Sequence, residues 1–410
     1  MARLGIDFGT SNTGAGILQD GRPVTLPLEG TAPTLPTAVF VDFTDKRFVY
    51  GEAAARAMME GQDGRFMRGL KSILGTPLAR EKRRFLSERM TLIEVIGLFL
   101  AEIRSRSEKL TGERYDAVIS GRPVKFHSES DDKDAQAEAD LREAYALAGF
   151  ETVDFLPEPE AAALAVAGQG RMLIVDIGGG TSDFTLCERT DGETRVIASR
   201  GLRLGGTDFD RSLSLSHVMP LLGHGAEIGA ELGAKTHAAP RALFHDLASW
   251  EKIAFVYEPA LLREVKRWVR LAKDPVLFER LAEVLEMHLG HDIAYAVEAG
   301  KIAANDAQRG EILLDVVERG LRVDLWGLQM QAELAAAADR IGDMALATLK
   351  DADCAPDKVD TVVFVGGSSL LAGVRQALAT RLPEARQETA EVFTAVVHGL
   401  AIAARETRPA

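Results

Sequence analysis

The sequence contains the stretch Leu4-Gly5-Ile6-Asp7-Phe8-Gly9-Thr10-Ser11-Asn12 and, much later, the stretch Ile174-Val175-Asp176-Ile177-Gly178-Gly179-Gly180-Thr181-Ser182-Asp183. Each has the order typical of a strand, an aspartate, a tight glycine-containing turn, a pair of hydroxyl side chains and a second strand. Asp7 and Asp176 are separated by far more than the about 20–50 residues of a solenoid repeat. The chain is therefore predicted to contain two related halves.

Both turns have the chemistry of a phosphate site. Glycine lets the backbone approach an anion closely, so that N–H groups and hydroxyls can donate to a phosphate. An aspartate in front of such a turn is placed for a hard cation, because Mg²⁺ bridges carboxylates to substrate phosphates and keeps several waters. We expect Asp7, Asp176 and Asp183 to serve this purpose. One such turn alone would be interpreted as an ordinary hairpin, but two copies with the same residue order favour the phosphate site.

The composition indicates an acidic globular protein. The chain has 410 residues, of which 46% are apolar and 27% charged, and a formal net charge of −13. This length predicts two or three domains, and this charge disfavours nucleic acid as a partner. Cys187 and Cys354 are too few for a disulfide framework. Because no apolar run resembles a signal peptide or a membrane span, we expect a cytoplasmic protein without a membrane partner.

Short β-branched runs alternate with amphipathic helices, which predicts an α/β fold. Strands are predicted at 115–120, 312–314 and 361–365, and helices at about 92–103, 134–148 and 396–404. The stretch 212–320 is rich in helix patterns and indicates an inserted helical subdomain without a strand before Ile312. Gly229 to Thr236 resembles a Walker-type loop, but Ala234 separates glycine from lysine, so we interpret it as a helix end. Hydrolase elbows and zinc-protease spacings are absent from the sequence.

Further motifs accompany the two turns, and they are Gly121-Arg122-Pro123, Glu158-Pro159-Glu160-Ala161-Ala162-Ala163, Gly205-Gly206-Thr207-Asp208-Phe209-Asp210 and Gly366-Gly367-Ser368. With these motifs the chain resembles the actin-like ATPase superfamily, in particular the nucleotide-binding half of DnaK-type heat-shock chaperones and the YegD-type proteins among them. The resemblance implies an α/β actin-like ATPase fold. It has two lobes with a duplicated ribonuclease-H-like core, a nucleotide cleft between them and a helical insertion in lobe II.

The resemblance also implies domain boundaries. Lobe I would comprise 1–168 with an inserted subdomain at about 38–112, and lobe II would comprise 169–388 with a mainly helical insertion at about 207–322. Residues 389–410 would form a C-terminal helix that returns to lobe I. Because the sequence stops at Ala410 without a linker, peptide-binding sandwich or lid, we expect no attached peptide clamp.

The implied ligands are ATP or ADP with Mg²⁺. The metal would lie near Asp7, Asp176 and Asp183. The nucleotide would be held by Gly9, Thr10, Ser11, Gly178, Gly179, Gly180, Thr181, Glu298, Lys301, Gly366 and Gly367. The implied catalytic residues are Lys71, Glu158, Asp176 and Thr181. Lys71 matches a lysine that neutralises charge on the transferred phosphoryl group, with a solvated surface lysine as the alternative. Glu158 aligns with a carboxylate that positions the attacking water.

Three positions depart from the family pattern. Ile302 replaces a basic residue that usually stacks on adenine, Asn305 replaces a usual serine, and Glu160 stands where threonine is usual. The first two changes imply weaker contacts to the nucleoside.

The resemblance favours an ATP-binding, slowly hydrolysing, chaperone-like switch that acts on a protein client or with a co-chaperone. Two alternatives are a small-molecule kinase or phosphatase of the same superfamily and a non-hydrolysing nucleotide-dependent scaffold. A kinase needs an acceptor pocket and usually a catalytic aspartate, for which the sequence offers no separate candidate.

Overall fold

The computed structural model of the chain describes residues 2–128, 130–166, 168–230, 236–390 and 394–406. The strands are β1 Arg3–Phe8, β2 Asn12–Gln19, β3 Arg22–Thr25, β4 Leu35–Pro36, β5 Ala38–Asp42, β6 Arg47–Tyr50, β7 Gly64–Arg68, β8 Arg83–Phe85, β9 Glu88–Met90, β10 Ala117–Arg122, β11 Thr152–Pro157, β12 Gly170–Ile177, β13 Ser182–Thr190, β14 Glu193–Leu202, β15 Glu227–Gly229, β16 Thr236–Ala238, β17 Arg309–Leu313, β18 Arg322–Trp326, β19 Thr361–Val365 and β20 Arg386–Thr389. The helices are α1 Glu52–Met59, α2 Pro77–Arg80, α3 Leu92–Thr111, α4 Asp131–Leu147, α5 Glu158–Ala165, α6 Gly206–Leu213, α7 Arg241–Leu247, α8 Pro259–Leu271, α9 Pro275–Glu286, α10 Gly290–Ala307, α11 Gly327–Asp351, α12 Ala372–Arg381 and α13 Ala395–Glu406. The predicted α/β class is confirmed.

Two mixed sheets share one strand order. The first runs β11-β10-β1-β2-β3, with β4 beside β2, and the second runs β20-β19-β12-β13-β14. In each sheet the first three strands are parallel to one another and the last two are added antiparallel. The strands that carry Asp7 and Asp176 therefore occupy equivalent central positions. Mixed sheets with helices are consistent with the actin-like fold that the resemblance implies.

The chain divides into two compact units. The larger unit comprises residues 1–206 and 337–410, and the smaller unit comprises residues 207–336. Both mixed sheets belong to the larger unit, together with a small sheet of β6, β5 and β7. The smaller unit is mainly helical but also contains the hairpins β15–β16 and β17–β18.

One apolar cluster joins the two mixed sheets within the larger unit. It includes Ile119 of β10, Ile174 of β12, Val363 of β19, Ala161 of α5 and Leu400 of α13. These residues are almost completely buried, and each strand contributes the β-branched side chains that pack well on a pleated surface. The helices α5 and α13 thus share one core with both sheets.

Several local predictions are confirmed. The strand at 361–365 and the final helix are present, and Leu92, Ile96, Phe99 and Ile103 are buried along one face of α3. The helix predicted from Asp134 starts three residues earlier, because the Ser130 hydroxyl accepts from the Lys133 N–H at 3.4 Å and caps it.

Two predictions about the smaller unit are wrong. The stretch 212–320 does contain strands before Ile312, because β15 pairs with β16 and β17 already begins at Arg309. The segment from Gly229 to Thr236 is not a helix end either, because β15 ends at Gly229 and its antiparallel partner β16 begins at Thr236. Residues 231–235 lie outside the described residues. The hairpin was missed because its three-residue strands bury only Ile228 and show no alternating pattern. In the part of the chain that the structure describes, the helices are all too short or too polar to cross a membrane.

The close packing of α13 on α5 generates a prediction about Gly399. Replacing glycine by alanine inside a helix usually stabilises it by about 1 kcal/mol. At Gly399 the added methyl group would collide with the carbonyl oxygen of Ala161. Gly399→Ala should therefore lower the free energy of unfolding by about 1–3 kcal/mol, measured by urea denaturation. In Gly342→Ala the atoms nearest to the methyl group belong to the side chain of Arg381, which can shift more easily than backbone, so that variant should stay within about 1 kcal/mol of wild type.

Candidate functional site

The two predicted turns have the same hydrogen-bonded form. The Gly9 N–H donates to the Asn12 carbonyl at 3.1 Å, and the Gly178 N–H donates to the Thr181 carbonyl at 3.0 Å. Each turn joins two antiparallel strands, so the aspartate of the first strand lies next to the turn. The equivalence predicted from the sequence therefore extends to the backbone of both turns.

The two turns face each other at close range. A Cβ atom at Gly179 would lie 2.5 Å from the Ser11 hydroxyl, and one at Gly180 would lie 2.9 Å from the Thr10 hydroxyl. Only glycine fits at these positions without displacing the opposite turn. A Cβ atom at Gly180 would also lie 3.1 Å from the Ser72 hydroxyl. The segment that carries Lys71 therefore reaches the place where the two turns meet.

Lys71 forms a buried ion pair. Its ammonium nitrogen lies 2.5 Å from Oε1 of Glu158, and the two residues are only 6% and 8% exposed. A solvated surface lysine, the alternative considered from the sequence, is excluded by this burial. Burial alone would lower the pKa of Lys71, but Glu158, Asp7 and Asp183 together raise it above its ordinary value, so the side chain stays charged.

Three aspartates surround this ion pair. Glycine at position 121 leaves room for Glu158 and Asp7, since a Cβ there would lie 3.1 Å from Glu158 Cγ and 3.6 Å from Asp7 Oδ1. Asp183 accepts a hydrogen bond of 2.7 Å from the Val124 N–H. Asp176 sits beside the turn after β19, where a Cβ at Gly366 would lie 2.7 Å from Asp176 Oδ1.

Burial and neighbouring carboxylates disfavour the charged form of the three aspartates. Burial, followed by repulsion from Glu158, raises the pKa of Asp7 to about 7 and that of Asp183 to about 8. Burial and the neighbouring carboxylates likewise raise the pKa of Asp176 well above its usual range. Lys71 opposes these shifts but cannot balance the charge of all four carboxylates. A bound cation would therefore be stabilised here.

A cation held at these carboxylates would need ligands other than protein side chains. Within the described ranges, His, Cys, Asp and Glu side chains form no group of three or more that could hold a metal ion. Mg²⁺ commonly keeps several waters and is held through one or two carboxylates together with substrate phosphates. The donor set of Asp7, Asp176 and Asp183 is compatible with that mode of binding.

Sequence reasoning missed two side chains that line a pocket beside the turns. His127 and Arg203 lie in its wall together with Thr10, Lys71, Gly180 and Thr181. His127 comes four residues after the Gly121-Arg122-Pro123 motif, and Arg203 shortly precedes Gly205. Neither belongs to a motif, so only their proximity to recognised motifs could have drawn attention to them.

Glu298 and Lys301 belong to α10 of the smaller unit, where Lys301 is engaged in a buried ion pair. Its ammonium lies 2.6 Å from Asp210 Oδ1, and both residues are less than one-tenth exposed. The pKa of Asp210 is raised above its ordinary value, chiefly by burial and further by Glu298. Lys301 and the Trp250 indole N–H, which donates to Asp210 at 3.2 Å, oppose this rise. A structural role thus competes with the predicted nucleoside contact of Lys301.

Positions near these residues are more open. Ile302 is half exposed, and the Asn305 amide donates to the neighbouring Asp306 at 3.1 Å. Gly366 and Gly367 follow β19 in the larger unit, next to the strand that carries Asp176.

Residues 75–231 match the Hsp70 protein family. This match supports the resemblance of the chain to the nucleotide-binding part of the Hsp70 family and to the actin-like ATPases. It includes Glu158 and the second turn, whereas the first turn and Lys71 lie before it. The Hsp70-like range therefore contributes the partner of Lys71 and two of the three clustered aspartates.

The buried pair in the smaller unit generates a prediction. Removing one partner of a buried ion pair leaves the other charge uncompensated and typically costs about 3–5 kcal/mol. Lys301→Ala should lower the free energy of unfolding by this amount in the absence of nucleotide, measured by denaturant titration. The double variant Asp210→Ala with Lys301→Ala should lose less than the sum of the single variants. An unchanged stability of Lys301→Ala would show that the pair is unimportant for the fold.

Proposed function

We propose that this chain is a chaperone-like protein that binds ATP or ADP with Mg²⁺ and hydrolyses ATP slowly, as the YegD-type resemblance implies. The observation that carries the proposal is the buried Lys71–Glu158 pair at the point where two glycine turns meet among three aspartates. The Hsp70 family match supports the nucleotide-binding part of the proposal independently.

The residues at the turns have the chemistry required for phosphates. The Gly178 N–H closes the second turn by donating to the Thr181 carbonyl. The backbone N–H groups of Gly179 and Gly180 and the hydroxyls of Thr10, Ser11 and Thr181 would donate to phosphate oxygens. Asp7, Asp176 and Asp183 would hold the hydrated cation, which supplies positive charge to the phosphates when bound. The nucleoside contacts of Glu298, Lys301, Gly366 and Gly367 stay predictions.

Hydrolysis would depend on positioning and on electrostatic stabilisation of the transferred phosphoryl group. The ammonium of Lys71 is kept charged by its acidic neighbours and would stabilise negative charge that develops on the phosphoryl oxygens. Glu158 holds Lys71 and would orient the attacking water with its remaining acceptor capacity. A kinase would need an acceptor other than water, so the appearance of free phosphate with water as the only acceptor separates the two activities.

The first test is whether Mg²⁺-ATP stabilises the protein. A ligand bound only by the folded state adds about 2.7 kcal/mol at a hundredfold excess over its Kd. Thermal unfolding with millimolar Mg²⁺-ATP should therefore give a higher Tm than unfolding with Mg²⁺ alone. Asp176→Asn removes one charge near the cation and should reduce the shift. No shift in the wild type would reject the proposed nucleotide site.

The second test concerns Lys71. Lys71→Ala should lower the rate of single-turnover ATP hydrolysis by roughly tenfold to a thousandfold, because it removes an electrostatic contact to the transition state. Nucleotide affinity should change much less. Lys358→Ala is a suitable control, since Lys358 is an exposed lysine of the same unit that pairs with Asp357. Equal rates for wild type and Lys71→Ala would contradict the assignment, and an inactive wild type would favour the scaffold alternative.

A further inference from the structure

The segment that carries Lys71 is bounded by two glycines with left-handed backbone. Gly69 and Gly75 both have a φ of 75°, and a single 3₁₀ turn, Leu70–Ile73, lies between them. Glycine has the greatest backbone freedom at such positions. The direction in which Lys71 leaves the backbone therefore depends on what holds the carbonyl groups of this short segment.

Arg203 holds the segment at Ser72. One guanidinium nitrogen donates to the Ser72 carbonyl at 2.9 Å, and another donates to Nδ1 of His127 at 2.9 Å. Arg203 follows β14, the edge strand of the second sheet, so it is far from Lys71 in sequence but adjacent in the fold. The planar guanidinium links the two acceptors in a fixed geometry, which a lysine could not reproduce.

His127 holds the segment at Leu74. Its Nε2 lies 2.7 Å from the Leu74 carbonyl oxygen, and the ring is buried. Arginine can only donate hydrogen bonds and a carbonyl can only accept them, so the ring must accept at Nδ1 and donate from Nε2. Burial, together with the charge of Arg203, lowers the pKa of His127 and favours this neutral form.

A third contact fixes the end of the segment. The Gly75 N–H donates to Asp140 at 2.9 Å, and Asp140 also accepts from Arg80 at 2.6 Å. Leu70, Ile73 and Leu74 are buried as well and keep the segment in the core. Apolar burial is not directional. Hydrogen bonds are directional, and two of them flank the last residue of the 3₁₀ turn. Arg203 bonds the Ser72 carbonyl before it and His127 bonds the Leu74 carbonyl after it, so these two contacts orient the backbone around Lys71.

We infer that Arg203 and His127 form a clamp that positions the Lys71 segment for phosphoryl transfer. The clamp consists of the contacts from Arg203 to Ser72 and His127 and from His127 to Leu74, and it lies in the wall of the pocket beside the turns. Neither residue needs to touch the nucleotide, so both are positioning residues. The catalytic part of this inference rests on the proposed ATP hydrolysis, whereas the structural part does not.

The experiment compares Arg203→Ala with Arg200→Ala in the full chain. Arg200 lies in β14, three residues before Arg203, and makes a surface ion pair of 2.5 Å with Asp351, so its loss controls for removal of a paired arginine. Arg203→Ala should lower single-turnover hydrolysis by roughly tenfold to a hundredfold, because small displacements of a catalytic group have effects of that size. The Kd for Mg²⁺-ATP should change by less than about threefold. Arg200→Ala should match wild type in both.

Two further measurements separate positioning from general damage. Amide hydrogen exchange of residues 69–76 should become faster in Arg203→Ala, while the exchange of the core strands β12 and β19 stays unchanged. His127→Gln keeps an N–H group that can reach the Leu74 carbonyl, so it should retain more activity than His127→Ala.

Each outcome decides one part of the inference. Unchanged exchange of residues 69–76 in Arg203→Ala overturns the clamp, whether or not ATP is hydrolysed. Faster exchange with an unchanged rate overturns the catalytic importance of the clamp. A wild type that does not hydrolyse ATP overturns the proposed function, and faster exchange in Arg203→Ala would then still support the clamp as a structural device.

Discussion

The site depends on one buried ammonium group among four carboxylates. Lys71 pairs with Glu158, and Asp7, Asp176 and Asp183 surround the pair with pKa values raised by burial. Buried charges are tolerated only when they are paired or neutralised. One lysine compensates this cluster in part, so the arrangement is suited to receiving a cation. The positive charge of a phosphate-bound metal would offset the repulsion among these carboxylates.

The duplicated sheets explain how this cluster is assembled. Because β1 and β12 occupy equivalent central positions in sheets of the same order, each delivers its aspartate and glycine turn to the same end of its sheet. The shared core of α5 and α13 joins the two sheets within one unit. Glu158 starts α5, so the helix that connects the sheets also places the partner of Lys71.

The smaller unit shows that a motif match does not decide what a side chain does. Lys301 lies in a helix that resembles a nucleoside-binding segment, but its ammonium is already paired with the buried Asp210. An ion pair of this kind is costly to break because the remaining charge stays in the core. Any contact of Lys301 with a ligand would have to be made together with this pair or in place of it.

Local patterns in the sequence determined the paired turns, the buried face of α3, the strand at 361–365 and the final helix, because periodicity and turn chemistry are properties of neighbouring residues. The contact between Lys71 and Glu158 depends on tertiary structure, as do those of Arg203 with His127 and of Lys301 with Asp210. The family resemblance suggested Lys71 and Glu158 separately, but neither their pairing nor the clamp beside them. Residues so far apart in the chain are brought together only by strand order and by helix packing, which no local pattern records.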